Sequence, residues 1–149
     1  MSYIDKFFKL AVEEAIKGLS EGGIPVGSVL VHDQIVLGKG HNRRLQDGSV
    51  ILHAEMDALE NAGRLTENIY SECSLYTTLS PCVMCSGAIL HYKIPRVIVG
   101  ENKNFKGEEE LLKSRGVRIN VLQDPDCIKI MSDYIAANPK LWQEDIGIS

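Results

Sequence analysis

The sequence predicts an α/β domain, a three-layer α/β/α sandwich around a five-stranded mixed sheet. Apolar residues at helical spacing alternate along the chain with short apolar runs of strand length. The first two strand segments are joined by a tight turn, as antiparallel neighbours are, whereas the later ones are separated by helices, as parallel neighbours must be. Helices inserted between parallel strands then cover both faces of the sheet.

The segment Tyr3 to Ser20 places Ile4, Phe7, Phe8, Ala11, Ala15 and Leu19 on one helical stripe, and Gly22-Gly23 stops it. Val26 to Val31 and Ile35 to Lys39 flank His32-Asp33-Gln34 and read as a β-hairpin. Gly40 to Ser49 reads as a polar loop. Leu52 to Ala62 returns to helical spacing, with Met56, Leu59 and Ala62 on one face and Gly63 as terminator. Ser74 to Thr78 is a strand. A helix follows from Pro81, suited to a first helical position, through Ser86 to Tyr92. Arg96 to Gly100 is a strand and Glu108 to Ser114 a short polar helix, its Glu108-Glu109-Glu110 run expected on a solvated face. Arg118 to Leu122 is the last strand, Asp124 to Ala137 a helix opened by Asp124-Pro125, and Pro139 to Ile146 a final short helix.

Composition narrows the function classes. A chain of 149 residues favours one domain. The mix of 44% hydrophobic and 24% charged residues excludes a disordered, collagen-like or fibrous chain. No apolar run approaches the roughly 20 residues of a membrane span, and the start Met1-Ser2-Tyr3-Ile4-Asp5-Lys6 lacks the apolar core of a secretory leader. The expected location is the cytosol, with the nucleus as well in a eukaryote. Thiols stay reduced there, so Cys82 and Cys85 are expected to be ligands or redox groups and not a structural disulfide. A net charge of −4 argues against a nucleic-acid partner, which calls for a basic surface.

The chemistry concentrates in His53-Ala54-Glu55 and Pro81-Cys82-Val83-Met84-Cys85, each at the start of a predicted helix. Two thiolates three positions apart on a first helical turn can meet one metal ion, and a histidine from a second helix start supplies a third donor; zinc suits this S₂N set. Structural zinc sites are closed by four protein ligands, while catalytic ones keep a position for water, and only three ligands stand at suitable spacing here. Glu55 stands two residues from His53, close enough to exchange a proton with that water. Cys-x-x-Cys alone also fits a redox pair, but His-x-Glu followed by Pro-Cys-x-x-Cys is the pattern of zinc-dependent nucleobase deaminases. Cys73 and Cys127 read as buried spectators, and His41 has no evident task.

Nearly the whole chain resembles the fungal-type cytosine deaminases of the cytidine-deaminase-like superfamily. The resemblance is carried by Glu21 to Gly27, Gly38-Lys39-Gly40-His41-Asn42, Leu52 to Glu55, Leu75 to Cys82, Gly100-Glu101-Asn102 with Phe105, and the tail Trp142 to Gly147. It implies one zinc ion per subunit on His53, Cys82 and Cys85, with Glu55 shuttling protons. It implies that Asn42 and the backbone N–H of Ala54 bind the carbonyl edge of a pyrimidine. Asp145 would accept from its N–H groups and the Ser80 carbonyl from its amine. Phe105 and Trp142 would form the walls, with Val26 beneath. The implied reaction is hydrolysis of the free base cytosine to uracil and ammonia by a homodimer, with residues 139–149 as a lid. Alternatives are another base such as isocytosine or guanine, RNA editing, or a catalytically silent zinc-binding dimer. This chain has Ala54 where those enzymes have glycine, Val83 where they have an acidic residue, and Gln143 where they have an aromatic one; the last two are expected to alter the surroundings of the site.

Overall fold

The computed structural model describes residues 3–148; Met1, Ser2 and Ser149, and the side chains of Tyr3, Ile4 and Asp5, lie outside the description. The elements are α1 (Tyr3–Ser20), β1 (Gly27–His32), β2 (Ile35–His41), α2 (Arg44–Asp47), α3 (Ala54–Ala62), α4 (Glu67–Tyr70), β3 (Cys73–Thr77), α5 (Val83–His91), β4 (Arg96–Val99), α6 (Glu109–Ser114), β5 (Arg118–Val121), α7 (Pro125–Ala137) and α8 (Pro139–Asp145). The strands form one sheet in the order β2-β1-β3-β4-β5. β1 is antiparallel to β2 and β3, whereas β3, β4 and β5 run parallel. This is the mixed five-stranded sheet that the sequence predicts. The hairpin turns on Asp33 and Gln34, both at positive φ (48° and 63°), the geometry that matches the twist of the flanking strands.

Side-chain alternation in the strands builds two separate cores. Val29, Val31, Tyr76 and Ile98 face Phe7, Phe8 and Ala11 of α1 and Cys127 of α7. Leu30, Leu75, Val97 and Val99 face the other way, toward Ile89 of α5 and Leu112 of α6, with Leu59 and Ala62 of α3 at the margin. A third cluster caps one end of the sheet and joins Ile24, Val26, Ala54 and Leu79 to Met131, Tyr134 and Trp142. α3 lies directly on β2, because a Cβ on Gly38 would strike the Ala58 carbonyl and one on Gly40 would strike the Ala58 amide and the Asp57 side chain.

Several expectations need correction. α2 lies inside the stretch read as loop, and α4 falls between read elements; four residues are too few to show a helical period. Leu52 and His53 precede α3, whose N-cap His53 is extended at ψ 163°. Pro81 is not the first helical residue of α5 either: Cys82 is the N-cap, extended at ψ 177°, and the Pro81 carbonyl accepts bonds from Ser86 Oγ and from the Glu108 amide. Leu19 is 41% exposed, since α1 turns Gly18 and not Leu19 toward the His41 ring. Among the described residues, no helix is long and apolar enough to cross a membrane.

Candidate active site

Two helix starts meet at the capped end of the sheet. His53 is the N-cap of α3 and Cys82 the N-cap of α5, and neither side chain makes a capping hydrogen bond. Both point instead into the space between the helices, where the first turn of α5 adds Cys85. His53 Nδ1 lies 3.3 Å from Cys82 Sγ and 3.7 Å from Cys85 Sγ, and the three donor atoms all lie within 4.8 Å of one another. A tetrahedral zinc ion with ordinary Zn–S and Zn–N bonds holds such atoms roughly 3.6 Å apart, so the donor set fits zinc and leaves one position open. On the other side of the ring, His53 Nε2 faces the Asp145 carbonyl oxygen at 3.1 Å. A proton on Nε2 directed there leaves the Nδ1 lone pair toward the sulfurs, which is how an outer partner fixes a metal-binding tautomer.

The electrostatics single out Cys82 as the thiolate of this group. The Cys82 thiol is pulled down to about 4, by the Cys85 hydrogen bond first, then by His53, against the effect of burial. Cys85 moves well above its usual range, because it bonds Cys82 and is buried. Burial works against a charged His53 ring, but the bonds to Asp145 and Cys82 outweigh it and lift the imidazole to about 10. Burial likewise opposes ionisation of Asp145, yet His53, Asn42 and Arg44 together hold its carboxyl below the usual range. Glu55, in the first turn of α3 and 4% exposed, is raised to about 7 by burial and then by the Cys82 thiolate, with His53 opposing. A carboxyl poised near neutrality can both take and return a proton.

His53, Ala54, Glu55 and Cys82 line a small cavity, with Val26, Asn42, Ser80, Phe105, Trp142 and Asp145 around it. Each non-ligand residue singled out from the sequence is thus on the cavity wall, while Cys85 lies behind it, fully buried. Asn42 donates through Nδ2 to Asp145 Oδ1 at 3.0 Å. The rings of Phe105 and Trp142 meet edge to face with centroids 5.9 Å apart. Val83 is 66% exposed, Gln143 is exposed, and neither lines the cavity. These two departures therefore leave the cavity wall as it is.

Sequence reasoning missed the supports of the site. Glu109, expected on a solvated face, is 1% exposed; it accepts from Ser80 Oγ at 2.5 Å and from Asn102 Nδ2 at 3.2 Å. Glu101 accepts from the amides of Lys103 and Asn104, and the two carboxylates together shape the loop that carries Phe105. His41, fully buried, has its ring nitrogens 2.9 Å from Glu14 Oε1 and 2.7 Å from Glu21 Oε1, while its amide donates to Asp57. It fastens α1 and α3 to the end of β2, next to Asn42.

A family model for the cytidine and deoxycytidylate deaminase zinc-binding region matches residues 1–101. The chain is 52% identical over 149 residues to the cytosine deaminase of Candida albicans, covering 99% of each chain. It is 42% identical over 138 residues to a tRNA-specific adenosine deaminase of Streptococcus pyogenes, covering 86% of this chain and 87% of that one. Its fold matches, with a TM-score of 0.71 and 27% identity, a structure from work on A-to-I editing by tRNA:A34 deaminases at the wobble position, covering 85% of this chain and 99% of that one. A zinc-fitting His/Cys/Cys group with a buried glutamate at its side, on this sheet and under this family match, has one reading: the chain belongs to the zinc-binding cytidine and deoxycytidylate deaminase family.

Proposed function

We propose that the protein is a zinc-dependent hydrolase that converts the free base cytosine and water to uracil and ammonia. The observation that carries this is Glu55: a buried carboxylate beside the His53/Cys82/Cys85 group, at the floor of a cavity walled by the C-terminal helix. The end-to-end likeness to a cytosine deaminase supports the choice of substrate. His53, Cys82 and Cys85 hold one zinc ion per chain, which when bound supplies the Lewis acid that makes water nucleophilic near neutral pH.

The chain's own residues do the rest. Glu55 takes a proton from the attacking water and passes it to ring N3, making C4 electrophilic; it then carries the second water proton to the amino group, which leaves as ammonia. Asn42 and the Ala54 amide donate to the ring carbonyl, Asp145 accepts from ring N–H, and the Ser80 carbonyl accepts from the amine. Phe105, Trp142 and Val26 sandwich the base, and residues 139–148 close over it. The whole chain works as one domain. A small-base substrate and the free cysteines Cys82 and Cys85 support a cytosolic enzyme. The exposed apolar side chains Val50, Ile51, Val83 and Tyr92 support a homodimer.

The likeness to a tRNA-specific adenosine deaminase favours a second reading, a base within RNA. Against it stand the Trp142 wall, which blocks the path of a strand, and the net charge of −4. Ammonia release from cytosine, isocytosine, guanine, cytidine and tRNA decides the matter. Turnover of cytosine with little on cytidine or tRNA is expected; preference for tRNA or a nucleoside would overturn the reading.

A further inference from the structure

We propose that Arg44 sets the polarity of the base-binding edge, as a positioning residue that fixes Asn42 as donor and Asp145 as acceptor. The inference rests on the base-binding roles proposed above for those two side chains. Arg44 opens α2, in the stretch that the sequence presents as a polar loop, and its side chain is only 11% exposed. Its backbone N–H donates to Asn42 Oδ1 at 3.0 Å. With the oxygen so engaged, Nδ2 faces the opposite way, gives one hydrogen to Asp145 at 3.0 Å and keeps the other for a ligand. The guanidinium then reaches the same Asp145 oxygen through Nη1 at 3.3 Å and Glu144 Oε1 through Nη2 at 3.4 Å. Nε anchors the fork on the Val50 carbonyl at 3.0 Å. One residue therefore touches both halves of the proposed recognition pair, which stand 103 positions apart in the chain.

The chemical consequence is specificity. An amide N–H beside a carboxylate reads a ring edge with C=O next to N–H, as free cytosine offers and an N1-substituted nucleoside does not. Asp145 is the last residue of the seven-residue α8, so its direction depends on what grips the carboxylate. Arg44 grips it from outside the cavity, where it takes no space from the ligand.

The test compares zinc-loaded wild type with Arg44→Gln. Loss of hydrogen bonds to a charged group should lower kcat/KM for cytosine roughly ten- to hundredfold, with KM carrying most of the change and zinc content unaltered. Deuterium exchange over residues 139–148 should speed up in the same variant. Arg44→Lys keeps the charge without the planar fork and should fall between the two; it also serves if the glutamine variant does not fold. In an Asp145→Asn background the Arg44→Gln loss should largely vanish, because it acts through that carboxylate. A folded variant with kcat/KM and exchange both unchanged, or the full loss repeated in the Asp145→Asn background, overturns the proposal. If the wild type releases no ammonia from cytosine, the deaminase reading fails instead. The exchange comparison still decides whether Arg44 holds the tail: faster exchange supports the grip, and unchanged exchange overturns it.

Discussion

Glu55 and Glu109 are both buried and both sit in the first turn of a helix, yet their surroundings assign them opposite work. Glu109 spends its oxygens on Ser80 and Asn102 and is fixed, whereas Glu55 faces the cavity beside the metal-binding group. Glu55→Gln should fold and retain zinc but lose turnover by about 10²–10⁴-fold or more, since an amide neither accepts nor returns a proton; ammonia release and metal content measure it. Near-normal activity in that variant contradicts the proton-shuttle role. The thiols give a second test. Cys73 and Cys127 are buried and burial pushes both up, Cys73 to about 11 and Cys127 beyond the usual thiol range. Cys82 is partly exposed and Cys85 buried. Zinc-loaded protein should resist alkylation, and chelation should release Cys82 first, with Cys73 and Cys127 still protected in the peptide map. Early labelling of Cys127 would contradict the burial described here. The metal group was legible in the sequence because its spacing is local: two cysteines share a helical turn and His53 precedes Glu55 by two. Glu109 and His41 were not, because Ser80 lies 29 positions from Glu109, Glu14 and Glu21 lie 27 and 20 from His41, and a charge run says nothing of what folds back onto it.

At the scale of elements, α8 is seven residues long, too short to be stable by itself. It is held by Trp142 in the third core cluster and by Asp145, whose carbonyl bears on the His53 ring and whose carboxylate meets Asn42 and Arg44. Trp142 and Ile146, four apart, both reach the cavity wall, as the sequence spacing implies. A chain ending before Trp142 should keep its sheet and its zinc and lose cytosine turnover, because the cavity then opens to water and loses its acceptor. Wild-type deamination of cytosine by the truncated protein would remove the lid from the mechanism. Circular dichroism and metal analysis distinguish loss of the lid from loss of the fold. The long helices and all five strands were legible because their apolar periods span enough residues. α2 and α4 were not, and α2 carries the arginine that faces α8.

On the scale of the whole molecule, the sheet carries both crossover helices of its β3-β4-β5 half, α5 and α6, on one face, with α3 beside α5. That face is not finished. Ile89 of α5 is wholly buried in the core, because α5 turns it onto the sheet. The apolar surface comes from neighbouring turns instead. Tyr92 is 41% exposed and stacks on Tyr70 at 4.8 Å, and a groove beside it is lined by Met56, Leu59, Leu65 and Ala88. Val83 and Ile51 are exposed as well, at 66% and 48%. Exposed apolar side chains mark a contact site where they gather, and a two-fold copy would bury them against themselves, as an isologous contact requires. A stable pair needs about 1,200–2,000 Å² of total buried surface. Sedimentation at micromolar concentration should therefore show a dimer. Tyr92→Asp, which puts a charge into the centre of the contact, should shift it to monomer with the zinc retained. A wild type that sediments only as monomer would assign the patch to some other partner, and a Tyr92→Asp variant that stays dimeric would move the interface to another face.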